Sequence, residues 1–180
     1  MIRGGGGAIV NGTQLRGASG YGGELGHVRI GEGSTKDYSG LSGTLESLVR
    51  RDDLLHAFKM FAATDEELDL EIAGNKSAKT QKLIEQQIDA LGTGISSYVN
   101  IFNPEVIVLA GFLTSLLQYD PERLVRNIKT GALNASAERV VVRAGELGPN
   151  LLMIGAAELP FHRVLESPAE TKLVSAHKKR

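Results

Sequence analysis

The 180-residue sequence contains no cysteine. That excludes disulfides and any thiolate metal site, and it suits a reducing compartment. An excess of one charge is also missing: 20 Lys and Arg stand against 21 Asp and Glu, for a formal net charge of −1. Nothing in that balance steers the chain toward nucleic acid or an anionic membrane. No apolar run approaches the ~18–20 residues that a membrane-spanning helix needs. The opening, Met1-Ile2-Arg3-Gly4, lacks the apolar stretch of a signal peptide. A soluble cytoplasmic protein is the expectation. Paired carboxylates for hydrolysis, a Ser/His/Asp arrangement, a Walker loop and internal repeats are absent as recognisable motifs.

What is present is an ordinary globular composition, 42% hydrophobic and 23% charged. The length suits one domain, or one large lobe of a two-lobed protein. Glycine is unevenly spread, with 14 of the 22 glycines in residues 1–43. Such crowding marks tight turns or backbone that approaches a ligand. A flexible linker is disfavoured because Ile9, Val10, Val28 and Ile30 are interleaved with the glycines.

Residues 7–17 predict a β-hairpin. Ala8-Ile9-Val10 and Thr13-Gln14-Leu15 flank Asn11-Gly12, a pair that favours a type I′ turn. A loop follows over 18–26, then a third short strand over 27–30, then a second loop over 31–43. From Thr44 the period becomes helical, with Leu45, Leu48, Val49, Leu55, Phe58 and Phe61 on one stripe. A short helix is expected over 64–73. The strongest helical signal starts at Ser77, with Leu83, Ile84, Ile88, Leu91, Ile95, Val99 and Phe102 in register. Gly92 and Gly94 interrupt it, and each weakens a helix by ~1 kcal/mol relative to alanine. Their presence predicts close packing against another backbone.

Asn103-Pro104 ends that helix, and Val106 to Ala110 reads as a buried strand. Asp120-Pro121-Glu122 is a helix start: an N-cap acid, proline at the first helical position, and an acid near the positive end of the dipole. Val140-Val141-Val142 reads as a further strand. A last helix is expected over about 149–165, kinked or ended by Pro160. The order is three strands, then helices, then βα units. It predicts an α/β fold, a mixed sheet covered by helices, of the kind found in one lobe of the actin-like (ribonuclease H-like) ATPases.

Three segments could carry chemistry. Gly4-Gly5-Gly6-Gly7 offers bare backbone N–H groups of the kind that cradle phosphate, or it is a linker. Gly23-Glu24-Leu25-Gly26-His27 places a carboxylate and an imidazole three residues apart in a glycine-rich bend. Both can point into one pocket and bind polar hydroxyls, or they are a surface loop Glu and a His at the start of a strand. Glu46 follows Gly43-Thr44-Leu45, and as a first-turn acid it is favoured by the helix dipole alone. Arg50-Arg51, Asp52-Asp53 and Asp65-Glu66-Glu67 read as solvated faces, and His56 and His162 as structural.

In order and spacing, residues 4–12, 15–27 and 40–46 resemble the signature of the ROK family, the sugar kinases and sugar-responsive repressors. Residues 103–111 resemble that family's strand-and-glycine segment near the nucleotide's adenosine in kinases. Residues 147–157 resemble its last helix. The match runs over about 4–165. It implies a C-terminal ROK lobe at 1–166 followed by a basic tail at 167–180, and sugar contact for Glu24, His27 and Glu46. If the chain is kinase-like, it implies phosphate or nucleotide contact for Gly5, Gly6, Gly7 and Gly111.

Two departures shape the functional expectation. The family's Cys-x-Cys-Gly-x-x-Gly-Cys segment, which with the same histidine binds a structural zinc, has Asp37, Ser39 and Thr44 in place of its cysteines. Hydroxyls are poor zinc ligands, so no zinc is expected, and the 31–43 loop is expected to lack the family's staple and to be mobile or ordered only by ligand. The family's N-terminal lobe, with its phosphate loop and the catalytic aspartate of kinases, is not in this sequence. The resemblance therefore implies a fragment that is inactive as an enzyme by itself. The expected function is the sugar-sensing, dimerising half of a ROK transcriptional regulator, with DNA contacted only through a domain outside this chain. The expected ligand is a small sugar or sugar phosphate. The alternative is half of an ATP- and Mg²⁺-dependent sugar kinase. Phe112, which would crowd an adenine, favours the regulator. The resemblance implies a homodimer, and Gly92 and Gly94 would permit close helix contact, but the sequence does not show which surface is used.

Overall fold

The computed structural model describes residues 5–166. The expected basic tail at 167–180 lies outside them. Two units are present, one ending at Gly145 and a second beginning at Glu146.

The first unit opens with the hairpin that Asn11-Gly12 predicts. Strands β1 (Ile9–Val10) and β2 (Thr13–Gln14) pair antiparallel with Ile9 opposite Gln14 and Val10 opposite Thr13. Asn11 at φ 51° and Gly12 at φ 76° supply the two left-handed residues the turn needs. The third expected strand is absent. Leu25–His27 form a single 3₁₀ turn, and beyond it Arg29 makes one bridge to Thr44. The backbone there is satisfied by the loop before the first helix: Leu45 N donates to Val28 O, and Ile30 N to Gly43 O.

Where one helix is expected from Thr44, two form, α1 (Leu45–Leu48) and α2 (Arg51–Ala57). Thr44 caps the first by accepting from Ser47 N. Phe61 falls outside both and is fully exposed, so it is not part of the apolar stripe. Helix α3 (Asp65–Gly74) starts with a reciprocal capping box between Thr64 and Glu67. Arg51, expected on a solvated face, is buried: its Nε donates to Asp65 at 3.0 Å and its Nη2 to Ala63 O at 2.6 Å. His56 is exposed.

Helix α4 (Ala78–Phe102) is the axis of the unit. Ile84, Ile88, Leu91, Ile95 and Val99 recur at helical spacing and are all essentially inaccessible. It ends at Asn103 in the left-handed conformation before Pro104. Then come β3 (Val106–Leu109), α5 (Phe112–Tyr119), α6 (Pro121–Gly131), α7 (Asn134–Ala137) and β4 (Val141–Ala144). Strands β3 and β4 pair in parallel, Val106 opposite Val141 through Leu109 opposite Ala144. Among the described residues the strands form two separate pairs rather than one mixed sheet. Asp120 caps α6 by accepting from Arg123 N, with Pro121 at the first helical position. Phe112 is buried in the core with Leu109 and Leu116, so the expected crowding of an adenine by its ring does not arise. In the second unit, α8 (Leu151–Glu166) continues through position 160, so the proline there does not end it. Among the described residues no helix is long and apolar enough to cross a membrane.

The interrupting glycines have an internal use. A Cβ at Gly92 would lie 2.6 Å from Asn127 Cβ of α6, and one at Gly94 would lie 3.0 Å from Leu45 of α1. They are filled contacts inside the chain and give no argument for a dimer surface. The expected result for Gly92→Ala is a net loss of about 1–2 kcal/mol of unfolding free energy, because overpacking outweighs the helix propensity gained. Gly74→Ala, with open space around it, is expected to be neutral or stabilising by up to about 1 kcal/mol. Urea unfolding of both variants checks the opposite signs.

Candidate functional site

The 3₁₀ turn at Leu25–His27 brings two predicted residues to one side of the backbone. Its anchor is Tyr98 of α4, whose hydroxyl donates to Leu25 O. Burial pushes the Tyr98 phenol up to about 12, so it stays a donor at any physiological pH. Gly26, in the middle of the turn, is buried. Glu24 lies just before the turn and His27 ends it, and Glu24 Oε2 stands 3.9 Å from His27 Nε2. Glu46, in the first turn of α1, reaches the same atom, with Oε2 also 3.9 Å from Nε2. Exposure is graded across the three: the Glu24 side chain is 48% accessible, His27 17% and Glu46 8%. Nε2 itself is buried and makes no hydrogen bond among the described residues.

The other face of the imidazole is held by Asp37. Its Oδ2 accepts from His27 Nδ1 at 2.9 Å and from Thr44 Oγ1 at 2.9 Å. Its Oδ1 accepts from Ser39 N at 3.0 Å, Ser39 Oγ at 2.8 Å and Leu41 N at 2.9 Å. The side chain is completely inaccessible. Burial alone would raise its pKa, but the hydrogen bonds from His27, Ser39, Thr44 and Leu41 outweigh it and hold the carboxyl well below the usual range. The Tyr38 ring meets the imidazole edge to face at 4.8 Å. Gly43, at φ 72°, closes the loop so tightly that a Cβ there would collide with Gly31 O.

The loop over 31–43 therefore does have a staple, contrary to expectation. Asp37, Ser39 and Thr44 meet at the Asp37 carboxylate, and Lys36 pairs with Ser42 across the loop. These donors do not fit zinc. Both carboxylate oxygens are filled by five hydrogen bonds, Nδ1 of His27 is engaged, and hydroxyls are poor ligands. Among the described residues no group of three or more His, Asp or Glu side chains could hold a metal ion.

The remaining predicted positions are more scattered. Gly5, Gly6 and Gly7 are exposed, irregular backbone. Gly6 abuts Leu25 and, through its carbonyl, Gly23, so the run borders the loop that carries Glu24. Gly111 is at the turn from β3 to α5, at φ 60° and beside Asp65. A separate polar groove of about 540 Å³ runs between α4 and α6. Its centre is already closed on itself: Arg123 forks onto Asp89 with two 2.7 Å bonds, and Asn127 donates to the same carboxylate at 2.6 Å.

Sequence reasoning missed Asp37, Arg51 and Tyr98. Asp37 carried a legible signal, since Asp-x-Ser-Gly is an Asx-turn pattern in which the side chain accepts from the backbone two residues on. Tyr98 and Arg51 carried none, because their partners lie 73 and 14 residues away.

With fold and site in place, comparison with known proteins is decisive at the level of family. The ROK family model matches residues 3–162, and the chain belongs to the ROK family. It is similar to the xylose repressor of Caldicellulosiruptor bescii, 23% identical over 179 residues that cover 91% of this chain and 45% of the repressor. It is also similar to the glucokinase of Thermotoga maritima, 28% identical over 170 residues that cover 80% of this chain and 53% of the enzyme. Among solved structures, the ROK hexokinase of Thermus thermophilus superposes with a TM-score of 0.65 at 30% identity, over 90% of this chain and 55% of that one. The chain thus spans about half the length of the relatives it matches. The expected α/β class is the one found.

The Asp37 hub has a pH signature. A carboxyl whose pKa is lower in the fold than in the unfolded chain contributes stability above the unfolded value of about 4, and loses it as pH falls through the folded value. Asp37→Asn is therefore expected to cost about 2 kcal/mol at neutral pH, a difference from the parent that shrinks as the solution is acidified below about pH 4. Unfolding curves of both proteins across that range check it. A pH-independent difference would show that the carboxylate charge is not what the loop depends on.

Proposed function

We propose that this chain is the sugar-binding half of a ROK transcriptional regulator, and that Glu24, His27 and Glu46 receive the hydroxyls of a small sugar. The observation that carries the reading is the convergence of two carboxylates on one buried imidazole nitrogen, each at 3.9 Å. Two carboxylates within 3.9 Å of an imidazole nitrogen that makes no hydrogen bond among the described residues suit a ligand that supplies several hydroxyls. Similarity to a xylose repressor over 91% of the chain supports the regulator. In this reading the protein acts as a cytoplasmic homodimer, and DNA is contacted by a part of the protein outside this sequence. The sugar is neutral or phosphorylated at an end turned away from the two glutamates.

A second reading has its own support: identity reaches 28% with a glucokinase and 30% with a ROK hexokinase. There, Gly5, Gly6, Gly7 and Gly111 would border ATP and Mg²⁺, and the sugar contacts would be the same three residues.

Calorimetry of the full-length protein, against xylose, glucose and their phosphates, tests both readings. Binding of at least one sugar is expected, with Glu24→Ala and His27→Ala each weakening it by about 10- to 100-fold, the worth of a hydrogen bond to a charged or strongly polar group. No sugar binding at all would overturn the assignment. Sugar-dependent loss of operator affinity is the regulator's result, and sugar-dependent consumption of ATP is the kinase's.

A further inference from the structure

The sugar reading above leaves open what orients His27, since an imidazole presents a donor or an acceptor according to its tautomer. In this chain the answer lies on the ring's other side. Asp37 is inaccessible, and its carboxylate takes five hydrogen bonds. Four come from groups that are donors here: Ser39 N, Ser39 Oγ, Leu41 N and Thr44 Oγ1, the last of these hydroxyls also accepting from Ser47 N. An ionised carboxylate has no proton to give. The fifth partner, His27 Nδ1, must therefore carry the hydrogen of the 2.9 Å bond.

We propose that Asp37 is a positioning residue that locks His27, without any metal, as the Nδ1–H tautomer, and so presents Nε2 as a hydrogen-bond acceptor between Glu24 and Glu46. The disagreement between these donors and a zinc site is then a substitution of one device for another. A metal would orient a histidine by taking a ring lone pair; a buried carboxylate orients it by taking the ring hydrogen. The same carboxylate reaches α1 through Thr44, the residue that caps that helix, and Glu46 sits in its first turn. One side chain therefore sets the ring and the helix start that together define two of the three contacts. The consequence for specificity, which rests on the sugar reading, is that Nε2 accepts, so the ligand must supply a hydrogen there, as a hydroxyl can.

The test reads the tautomer directly and needs no ligand. Nitrogen-15 NMR of the sugar-free protein in mildly alkaline buffer, with the His27 signals identified by their loss in His27→Gln, is expected to show a protonated Nδ1 and an unprotonated Nε2. The pattern is expected to survive prolonged treatment with a chelator, with no change in melting temperature. Asp37→Asn is expected to replace it with exchange between the two tautomers, a change that loss of packing alone would not produce in a protein that still melts cooperatively. An Nε2–H tautomer, two protonated nitrogens, or loss of the pattern on chelation in the parent protein would each overturn the proposal, whether or not Asp37→Asn folds. Failure of every sugar to bind, with the tautomer as expected, would overturn the sugar reading and leave this one standing.

Discussion

The site depends on one buried carboxylate. Asp37 gathers donors from its own loop, from the histidine that faces the cluster and from the threonine that caps the next helix. An inaccessible charge of this kind is tolerated only when its lone pairs are filled. Here the filling partners are the segments that have to be brought together. A loop with several glycines would otherwise have a large conformational entropy to lose on ordering. The network offsets that loss with hydrogen bonds to a charged acceptor, which are stronger than neutral ones.

The rest of the first unit supplies a rigid backing. Helix α4 buries one face along Ile84, Ile88, Leu91, Ile95 and Val99, and it is from this helix that Tyr98 reaches the 3₁₀ turn. Gly92 brings α6 against α4, and Gly94 admits Leu45 of α1. The side chains that face the cluster are thus carried by short elements, while the longest helix fixes where those elements lie. That division is common where binding groups sit on loops held by a scaffold. Family membership covers sugar kinases and sugar-responsive repressors alike. The sugar-binding reading proposed for the cluster is compatible with both.

Much of this was legible in the sequence where the signal is local. Asn11-Gly12 specified the hairpin, Asp120-Pro121 the start of α6, and the Ile84-to-Val99 stripe the course of α4. Glu24 and His27 were legible as a pair because a glycine-rich bend separates them by only three positions. Non-local matters were not. Val28 and Ile30 alternate as a strand would, yet their backbone is taken by Leu45 and Gly43, and no strand forms. The β-pairs did not merge into one sheet among the described residues, an outcome set by partners far apart in the chain. Asp37 was read as a lost cysteine. A missing ligand says nothing of what the replacing residue does, and only its five partners reveal that it keeps the loop's connection by other means.

The most direct measurement is a crystal structure of the protein with a bound sugar. The account predicts ring hydroxyls within hydrogen-bond distance of His27 Nε2 and of the Glu24 and Glu46 carboxylates, with the His27–Asp37 bond intact behind them. Sugar found elsewhere, such as in the groove between α4 and α6, with these three side chains touching only solvent, would contradict it.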